Sequence, residues 1–224
     1  MSNEVLSLTD KSDSDKSGRP AHTPRPLRTD AQRSETALLE AALAVFATSG
    51  VDAPVREIAE KAGVGIATLY RRFPQRSDLI VAVFRQQVDA CADAAAVLAT
   101  KHEPADALAQ WMHRYAEFLA AKRGLAAALH SGDPAFNMLP AYFYQLLQPA
   151  LQELLNSAAT AGQVRNDIQA YDLLRAVGNL CCTPTTADET GYVRRMVALL
   201  VDGLRFNAGT LVEATSMTAP NQTM

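Results

Sequence analysis

Helical periodicity governs the chain from residue 29 onward and limits its fold more than any other sequence feature. Apolar residues recur three and four positions apart, as Leu38, Ala42 and Val45 do, which places them on one face of a helix. No segment shows the alternating Val, Ile and Thr of a half-buried strand, and no Asn-Gly pair marks a hairpin. We therefore predict an all-α protein, and its 224 residues are enough to bury a sizeable core.

Start and stop signals divide this pattern into consecutive helices. Thr29 and Gln32 form a capping box, Gly63 suits a helix end, and a second capping box at residues 186–189 opens the last helix. Residues 131–134 are predicted to form a loop. The helices are predicted to run over about residues 29–50, 54–62, 66–73, 75–100, 104 onward, 122–130, 139–161 and 170–182, with a last one that ends near residue 207.

Charge is distributed unevenly along the chain, whose net charge is −3. Residues 19–85 carry ten Lys or Arg against seven Asp or Glu, whereas residues 86–224 carry nine against thirteen. A basic N-terminal third on an acidic body indicates a local anionic partner. Residues 1–28 are rich in Ser, Asp and Pro, so we expect a disordered arm with a basic end.

Nothing in the sequence indicates export or a membrane. No apolar run reaches the length of about 18 residues that a membrane span needs, and the N-terminus lacks the apolar segment of a signal peptide. Cys91, Cys181 and Cys182 form no spaced framework, which favours reduced thiols in a cytoplasm. Cys181 and Cys182 are interpreted as small packing residues rather than oxidant sensors.

Residues 54–62 and 66–73 form two short predicted helices joined by a tight Gly turn, the pattern of a helix-turn-helix. In that motif the second helix enters the major groove, which is wide enough for one helix. We predict that Leu69 and Phe73 point to the core and that the opposite face meets base edges. The groove-facing candidates are Ile66, Ala67, Thr68, Tyr70 and Arg71.

Positive side chains close to this helix are candidates for phosphate contacts. Arg72 and Arg76 are within reach of a DNA backbone, and Arg76 lies at a helix N-terminus, where free amides also favour an anion. Two interpretations stand for Arg19, Arg25 and Arg28 in the arm. They belong either to a solvated tail or to an arm laid along the minor groove or backbone.

The stretch "REIAEKAGVGIATLYRRFPQRSDLI", preceded by "ALLEAALAVFATSGVDAPV", resembles the DNA-binding domain of the tetracycline-repressor (TetR) family of bacterial transcriptional regulators. The resemblance covers residues 34–80 in order and spacing. Residues 81–224 resemble the family only in general plan, with long helices and the segment "AGQVRNDIQAYDLLRAVGNL". The resemblance therefore implies more about DNA binding than about the second half of the chain.

The family's groove helix corresponds to Gly65–Phe73 here, with Thr68 and Tyr70 at matching positions. The Lys that usually begins the fourth helix is Arg76, and Arg56 occupies a position that touches DNA in some relatives. Two departures concern helix caps. Gly65 replaces the usual cap Ser before the groove helix, and Pro54 replaces the cap before the preceding helix, where Asp52 is the candidate for that role.

The resemblance also implies a domain plan and a mode of action. We expect a basic-ended disordered arm at 1–28, a DNA-binding domain at 29–75, a linking helix at 75–100, an effector-binding and dimerisation domain at 101–207, and a flexible tail at 208–224. The expected protein is a homodimeric repressor without a cofactor. It would be released from a palindromic operator by a small molecule that shifts the linking helix.

Aromatic residues of the second half are candidates, as a set, for lining an effector cavity between helices, although each alone is better explained as core. With no cluster of charges among them, and Tyr115, His113 and Tyr142 as polar anchors, they favour a hydrophobic, ring-containing effector. No His, Cys, Asp or Glu spacing indicates a metal site. The lining candidates are Trp111, Tyr115, Phe118, His130, Phe136, Tyr142, Phe143 and Leu146.

The last two helices are apolar on more than one face, so each must be buried on more than one side. One face can pack on its own chain and the other needs a partner, which predicts a four-helix dimer interface. Val197 and Leu204 are assigned to the partner-facing side. The apolar set comprises Leu173, Leu174, Val177 and Leu180 in one helix, and Val193, Met196, Val197, Leu200, Val201 and Leu204 in the other.

Two other classes of protein remain as alternatives. An all-α enzyme lacks support, because the sequence holds no Gly-rich phosphate loop, no Gly-x-Ser-x-Gly and no paired His-Glu motif. An effector-independent DNA-binding protein is disfavoured by the large acidic second half, which DNA coating does not require. A change of DNA affinity with an effector separates these alternatives.

Overall fold

The computed structural model describes residues 25–122, 125–182 and 189–206. Within these ranges the chain forms nine α-helices and no strand, which confirms the predicted all-α class. A 3₁₀ turn, Pro134–Phe136, precedes the seventh α-helix. The helices are α1 Arg25–Ser49, α2 Val55–Lys61, α3 Ile66–Arg72, α4 Arg76–Lys101, α5 Pro104–Lys122, α6 Ala126–Leu129, α7 Leu139–Thr160, α8 Ala170–Cys182 and α9 Glu189–Arg205.

The N-terminal unit consists of α1, α2 and α3 around a small apolar core. Phe46 from α1, Ile58 from α2 and Leu69 from α3 are almost completely buried there. Gly63, with φ of 68°, makes the turn between α2 and α3, and most L-residues avoid this left-handed conformation. The turn therefore fixes the angle at which α3 leaves α2.

Helix α4 connects this unit to the rest of the molecule. It packs on α1, α5 and α7. Its start is a capping box, in which the Gln75 N–H donates to Asp78 at 2.9 Å. Farther along, the indole N–H of Trp111 donates to the Cys91 carbonyl oxygen at 2.8 Å, which ties α5 to α4.

The C-terminal bundle is completed by α5, α7, α8 and α9. Helix α9 packs on α5 and α8, and its end is held by two contacts. The Arg165 N–H donates to the Leu204 carbonyl at 2.8 Å, and Arg205 pairs with Asp106 at 2.6 Å. In the described part of the chain, none of the helices combines the length and apolar character that crossing a membrane requires.

Helix ends differ from prediction at three places. Helix α1 begins at Arg25 rather than at Thr29, so residues 25–28 are helical and not part of a disordered arm. Pro26 then lies in the first turn, where the missing N–H removes no helical hydrogen bond. The predicted 122–130 helix is only α6, and a 3₁₀ turn begins at the end of the predicted 131–134 loop.

Several sequence predictions lie outside the described residues. These are the arm over 1–24, with Arg19, the second capping box at 186–188, and the tail over 208–224. The same holds for the side chains of Arg25 and Arg28, although their backbone belongs to α1.

Candidate nucleic-acid interface and ligand cavity

Helix α3 begins without a side-chain cap. Gly65 is its N-cap residue with extended backbone, and its carbonyl accepts from the N–H groups of Thr68 and Leu69 at 2.9 and 3.3 Å. Helix α2 begins in the same manner after Pro54, whose carbonyl accepts from Glu57 at 2.9 Å. Because no side chain caps α2, the predicted capping role of Asp52 is wrong. Both helices depend on packing rather than on caps.

The two faces of α3 have opposite exposure. Leu69 and Phe73 are buried, as predicted, and anchor the helix from behind. Ile66 and Tyr70 are 44% and 51% exposed although both are large and apolar. Ala67 and Arg71 are also exposed, whereas Thr68 is half-buried. A short helix thus presents a mixed apolar and cationic surface to solvent.

Two of the predicted DNA-contacting arginines form ion pairs on the surface. Arg72 pairs with Glu35 of α1, and Arg56 pairs with Glu60 one turn away at 2.9 Å. All four side chains are exposed enough for water to screen the pairs, which makes such pairs weak. A phosphate can therefore replace either carboxylate at small cost. Arg71 makes no ion pair among the described residues and extends into solvent.

Arg76 is turned inward. Its guanidinium donates to the carbonyl oxygens of Val51 and, at 2.9 Å, Ala53, both in the loop between α1 and α2. The side chain is half-buried, so these bonds are partly shielded from water. In this structure Arg76 positions the helix-turn-helix on α4, which differs from the predicted phosphate contact.

We expect Arg76→Lys to lower the free energy of unfolding by about 1–2 kcal/mol, because an ammonium lacks the planar fork that reaches two carbonyls. Urea titration followed by circular dichroism measures the change. Arg71→Lys is the matched control, since Arg71 is exposed and should leave stability unaltered. Equal midpoints for wild type and Arg76→Lys would show that the two bonds do not stabilise the fold.

A cavity of about 380 Å³ lies within the C-terminal bundle. Its volume falls at the lower end of the range that holds drug-sized ligands. Four of the predicted lining residues do line it: Tyr115, His130, Phe136 and Phe143. The other lining residues are Phe84, Leu119, Leu129, Leu139, Pro140, Tyr144, Leu174, Arg175, Gly178 and Asn179.

The remaining predicted residues lie elsewhere, contrary to the prediction. Trp111 is fully buried behind the cavity and stacks on Tyr115 with ring centroids 5.6 Å apart. Phe118 packs against the rings of Phe84 and Phe143 at 6.3 and 6.1 Å without reaching the cavity wall. These rings hold the lining aromatics in place from behind.

The predicted polar anchors and Leu146 also differ from expectation. The Tyr115 hydroxyl donates to the Leu174 carbonyl at 3.1 Å, so it fixes α5 to α8. His113 lies in a separate cleft between α4 and α5. Leu146 packs on the core and Tyr142 faces α4, so neither lines the cavity.

Sequence analysis missed the contribution of α8 to the cavity. Arg175, Gly178 and Asn179 line it, although the helix was interpreted only as an apolar packing element. A signal was present, because Arg175 and Asn179 are one turn apart among the apolar residues that follow the first turn of the helix. Polar residues at that spacing indicate a face that is not core.

Helices α4 and α7 are joined by a polar contact close to the cavity. The Tyr142 hydroxyl donates to the Asp89 carboxylate, and the Arg85 guanidinium lies 5.2 Å from the centre of the Tyr142 ring. Burial and the hydrogen bond to Asp89 raise the pKa of Tyr142 to about 12. The phenol therefore stays protonated and remains a donor to α4 at neutral pH.

Apolar residues of α8 and α9 divide between the core and the surface. Val197 and Leu204, which were assigned to a partner-facing side, are buried within the chain itself. Leu199 is instead 62% exposed, and Met196 and Leu200 beside it are half-buried. Leu180 of α8 is also half-buried. An apolar surface exists on these helices, but different residues form it.

The packing interpretation is supported for Cys181, whereas the side chain of Cys182 lies outside the described part of the chain. Cys181 is almost completely buried. Burial raises the pKa of the Cys91 thiol to about 12. A thiol of that kind is poorly nucleophilic at neutral pH.

Comparison with known proteins identifies both halves of the chain. Residues 38–83 match the family model described as bacterial regulatory proteins, tetR family. Residues 103–206 match the model described as transcriptional regulator SbtR-like, C-terminal domain. No curated protein matches the sequence significantly.

Solved structures are similar over most of the chain. A TetR transcriptional regulator from Streptomyces coelicolor is 36% identical, with a TM-score of 0.68 over 76% of this chain and 98% of its own. A TetR transcription regulatory protein from Mycobacterium vanbaalenii is 34% identical, with a TM-score of 0.64 over 80% of this chain and 99% of its own. A TetR-family regulator from Rhodococcus sp. shares the fold at 18% identity, with a TM-score of 0.61 over 78% and 99%.

Proposed function

Because the chain belongs to the TetR family of DNA-binding bacterial transcriptional regulators, we propose that it is a repressor released from a palindromic operator by a small molecule. The observation that carries the proposal is the exposed face of α3, where Tyr70 and Arg71 stand on a helix anchored by Leu69. The cavity of the C-terminal bundle supplies a place for the effector.

We infer that Tyr70 and Arg71 are the centre of the DNA contact. An arginine can bind guanine through two hydrogen bonds in the major groove, and the Tyr70 hydroxyl can donate to a phosphate. Ile66 and Ala67 offer apolar contact to thymine methyl groups. Arg56 and Arg72 exchange their carboxylate partners for phosphates, and Gly65 allows the backbone to approach closely.

Two copies of the chain are required for a palindromic site. We infer that the surface formed by Leu180, Met196, Leu199 and Leu200, hereafter the α8–α9 patch, packs on the same patch of a second copy. Such a contact around a two-fold axis makes a four-helix interface. It would place the two α3 helices about 34–36 Å apart, one turn of DNA.

The effector signal is proposed to pass through α4. Phe84 of α4 lines the cavity and is almost completely buried, so a ligand contacts this helix directly. Tyr142 connects α4 to α7, which supplies Leu139 and Phe143 to the cavity wall. At its other end α4 holds the helix-turn-helix through Arg76. A ligand that favours a different tilt of α4 therefore changes the spacing of the two α3 helices.

Filling the cavity tests whether it is the effector site. An added Cβ at Gly178 meets no atom within 4 Å, so Gly178→Leu should extend into the cavity without straining α8. We expect this change to weaken binding of the neutral apolar probe 2-naphthalenemethanol at least about tenfold, which corresponds to roughly 1.4 kcal/mol. Isothermal titration calorimetry measures the probe's affinity.

Gly178→Ala is the matched control, because it adds only a methyl group at the same position. It should retain most of the probe affinity and stabilise α8 slightly, since alanine favours a helix over glycine. Undiminished binding to Gly178→Leu would place the probe outside this cavity.

Reciprocal binding tests the regulatory proposal as a whole. An operator recovered by selection from random duplexes is titrated with the protein in the presence and absence of a cavity ligand. A coupling of about 1–3 kcal/mol lowers operator affinity about 5–150-fold, and operator DNA must weaken ligand binding by the same factor. A ligand that fills the cavity and leaves operator affinity unaltered contradicts release by an effector.

A further inference from the structure

The cavity changes from an apolar floor to a polar rim. Its buried wall is formed by aromatic and aliphatic side chains, among them Phe84, Leu119 and Phe143. Where the cavity opens to solvent, the lining residues include the exposed side chains of Arg175 and Asn179. A ligand that matches this wall is apolar along its body and polar at one end.

Among the described residues that line the cavity, Arg175 alone carries a permanent charge, and none of them is an Asp or a Glu. Its guanidinium lies 5.7 Å from the centre of the Tyr171 ring, within the range of a cation–π contact. Within the described residues no carboxylate pairs with it. Arg165 and Arg205 on the same bundle, by contrast, each pair with an aspartate at 2.6 Å.

The position of Arg175 favours an anionic ligand group of planar shape. A guanidinium presents parallel N–H donors that match the two oxygens of a carboxylate. The Tyr171 ring restricts the guanidinium, which leaves less side-chain freedom to lose on binding. Asn179, one helical turn away, places an amide on the same face of α8.

We propose that the effector is an amphipathic carboxylic acid, whose apolar body occupies the floor of the cavity and whose carboxylate pairs with Arg175. The proposal rests on the proposed function of the cavity as an effector site. It adds an anionic group to the mostly hydrophobic, ring-containing effector that the sequence predicts. That expectation followed from the aromatic residues of α5 and α7 and did not include the cation supplied by α8.

A pair of probes with the same ring system isolates the role of the charge. 2-Naphthoate carries the carboxylate, and 2-naphthalenemethanol replaces it with a neutral hydroxymethyl group. We expect the full-length wild-type protein to bind the acid about tenfold more tightly than the alcohol in calorimetric titrations. In Arg175→Met this preference should disappear while the affinity for the alcohol stays within about twofold, because the apolar floor is intact.

Two further variants make the result specific. Arg175→Lys retains the positive charge but lacks the parallel N–H donors of the guanidinium, so it should keep part of the preference for the acid over the alcohol. Arg194→Met removes an exposed arginine of α9 outside the cavity and should keep all of it. Loss of the preference in Arg194→Met would attribute it to the overall charge of the protein and overturn the proposal.

The outcomes distinguish failure of the proposed carboxylate–Arg175 pairing from failure of the proposed function. Equal affinities for acid and alcohol, or an undiminished preference in Arg175→Met, overturn the pairing with Arg175. So does failure of both probes to bind at millimolar concentration. If Gly178→Leu abolishes binding of both probes while neither alters operator affinity in the wild type, the cavity binds ligands but effector release is contradicted. A preference lost in Arg175→Met supports the pairing.

Discussion

Replacing Tyr70 and Arg71 together by alanine is expected to abolish specific operator binding while the protein stays folded and dimeric. Both side chains extend from α3 into solvent, and neither contributes to the core that Leu69 anchors. A base contact contributes about 1–3 kcal/mol, and a dimer makes each contact twice. The expected loss is therefore about 2–6 kcal/mol, or about thirtyfold at the least.

Titration of a labelled operator duplex, at a stated salt concentration, measures this loss. Lys101→Ala is the control. It removes one positive charge, as the loss of Arg71 does, but at the end of α4 that lies far along the chain from the helix-turn-helix. Single variants distinguish the two kinds of contact further. Loss of a phosphate contact reduces the slope of log affinity against log salt concentration by about 0.9. Loss of a base contact instead relaxes the preference for the operator sequence. Unchanged affinity in the double variant would place the DNA contact on another surface.

Introducing two aspartates into the α8–α9 patch, as Met196→Asp and Leu199→Asp, is expected to convert the dimer into monomers. Four carboxylates would then face one another across the two-fold axis in an apolar interface, and burying unpaired charges costs several kcal/mol. Sedimentation velocity measures the oligomeric state. Operator affinity should fall with it, because a single α3 helix reads only half of a palindrome.

The control for this experiment is another exposed apolar residue, outside the patch. Val97 of α4 is 49% exposed, and Val97→Asp should leave the sedimentation coefficient unaltered. Val197 and Leu204 are unsuitable targets, because an aspartate there would disrupt the protomer's own core. Dimers of the Met196→Asp, Leu199→Asp variant would show that the chains associate through a different surface.

Local periodicity predicted the features that depend on a single helix. The burial of Leu69 and Phe73 and the exposure of Ile66 and Tyr70 follow from 3.6 residues per turn. The bounds of α8, Ala170–Cys182, were also predicted, because Pro184 ends the apolar pattern. In each case the deciding information lies within a few residues of the feature.

Features that depend on distant residues could not be predicted in the same manner. The acceptors of Arg76 lie 25 and 23 residues earlier in the chain, and no spacing rule relates them to it. Periodicity also places Trp111, Tyr115 and Phe118 on one face of α5. That face is broad, so only packing by α4, α7 and α8 decides that Tyr115 meets the cavity and its neighbours do not.

The assignment of the dimer surface failed for a related reason. Apolar residues on more than one face of α9 predicted that two faces are buried, yet the pattern does not say which face meets the chain's own core. The position of α9 against α5 and α8 resolves this, and it turns Val197 inward and Leu199 outward.

The stacking of Trp111 on Tyr115 gives the protein an optical property as well as a structural one. Trp111 is the only tryptophan of the 224 residues, so the long-wavelength ultraviolet emission of the whole chain originates at one position. That indole is sealed from water, while the ring stacked on it forms part of the cavity wall. We therefore expect a ligand in the cavity to alter the intensity and wavelength of this single intrinsic fluorophore, without any label attached to the protein.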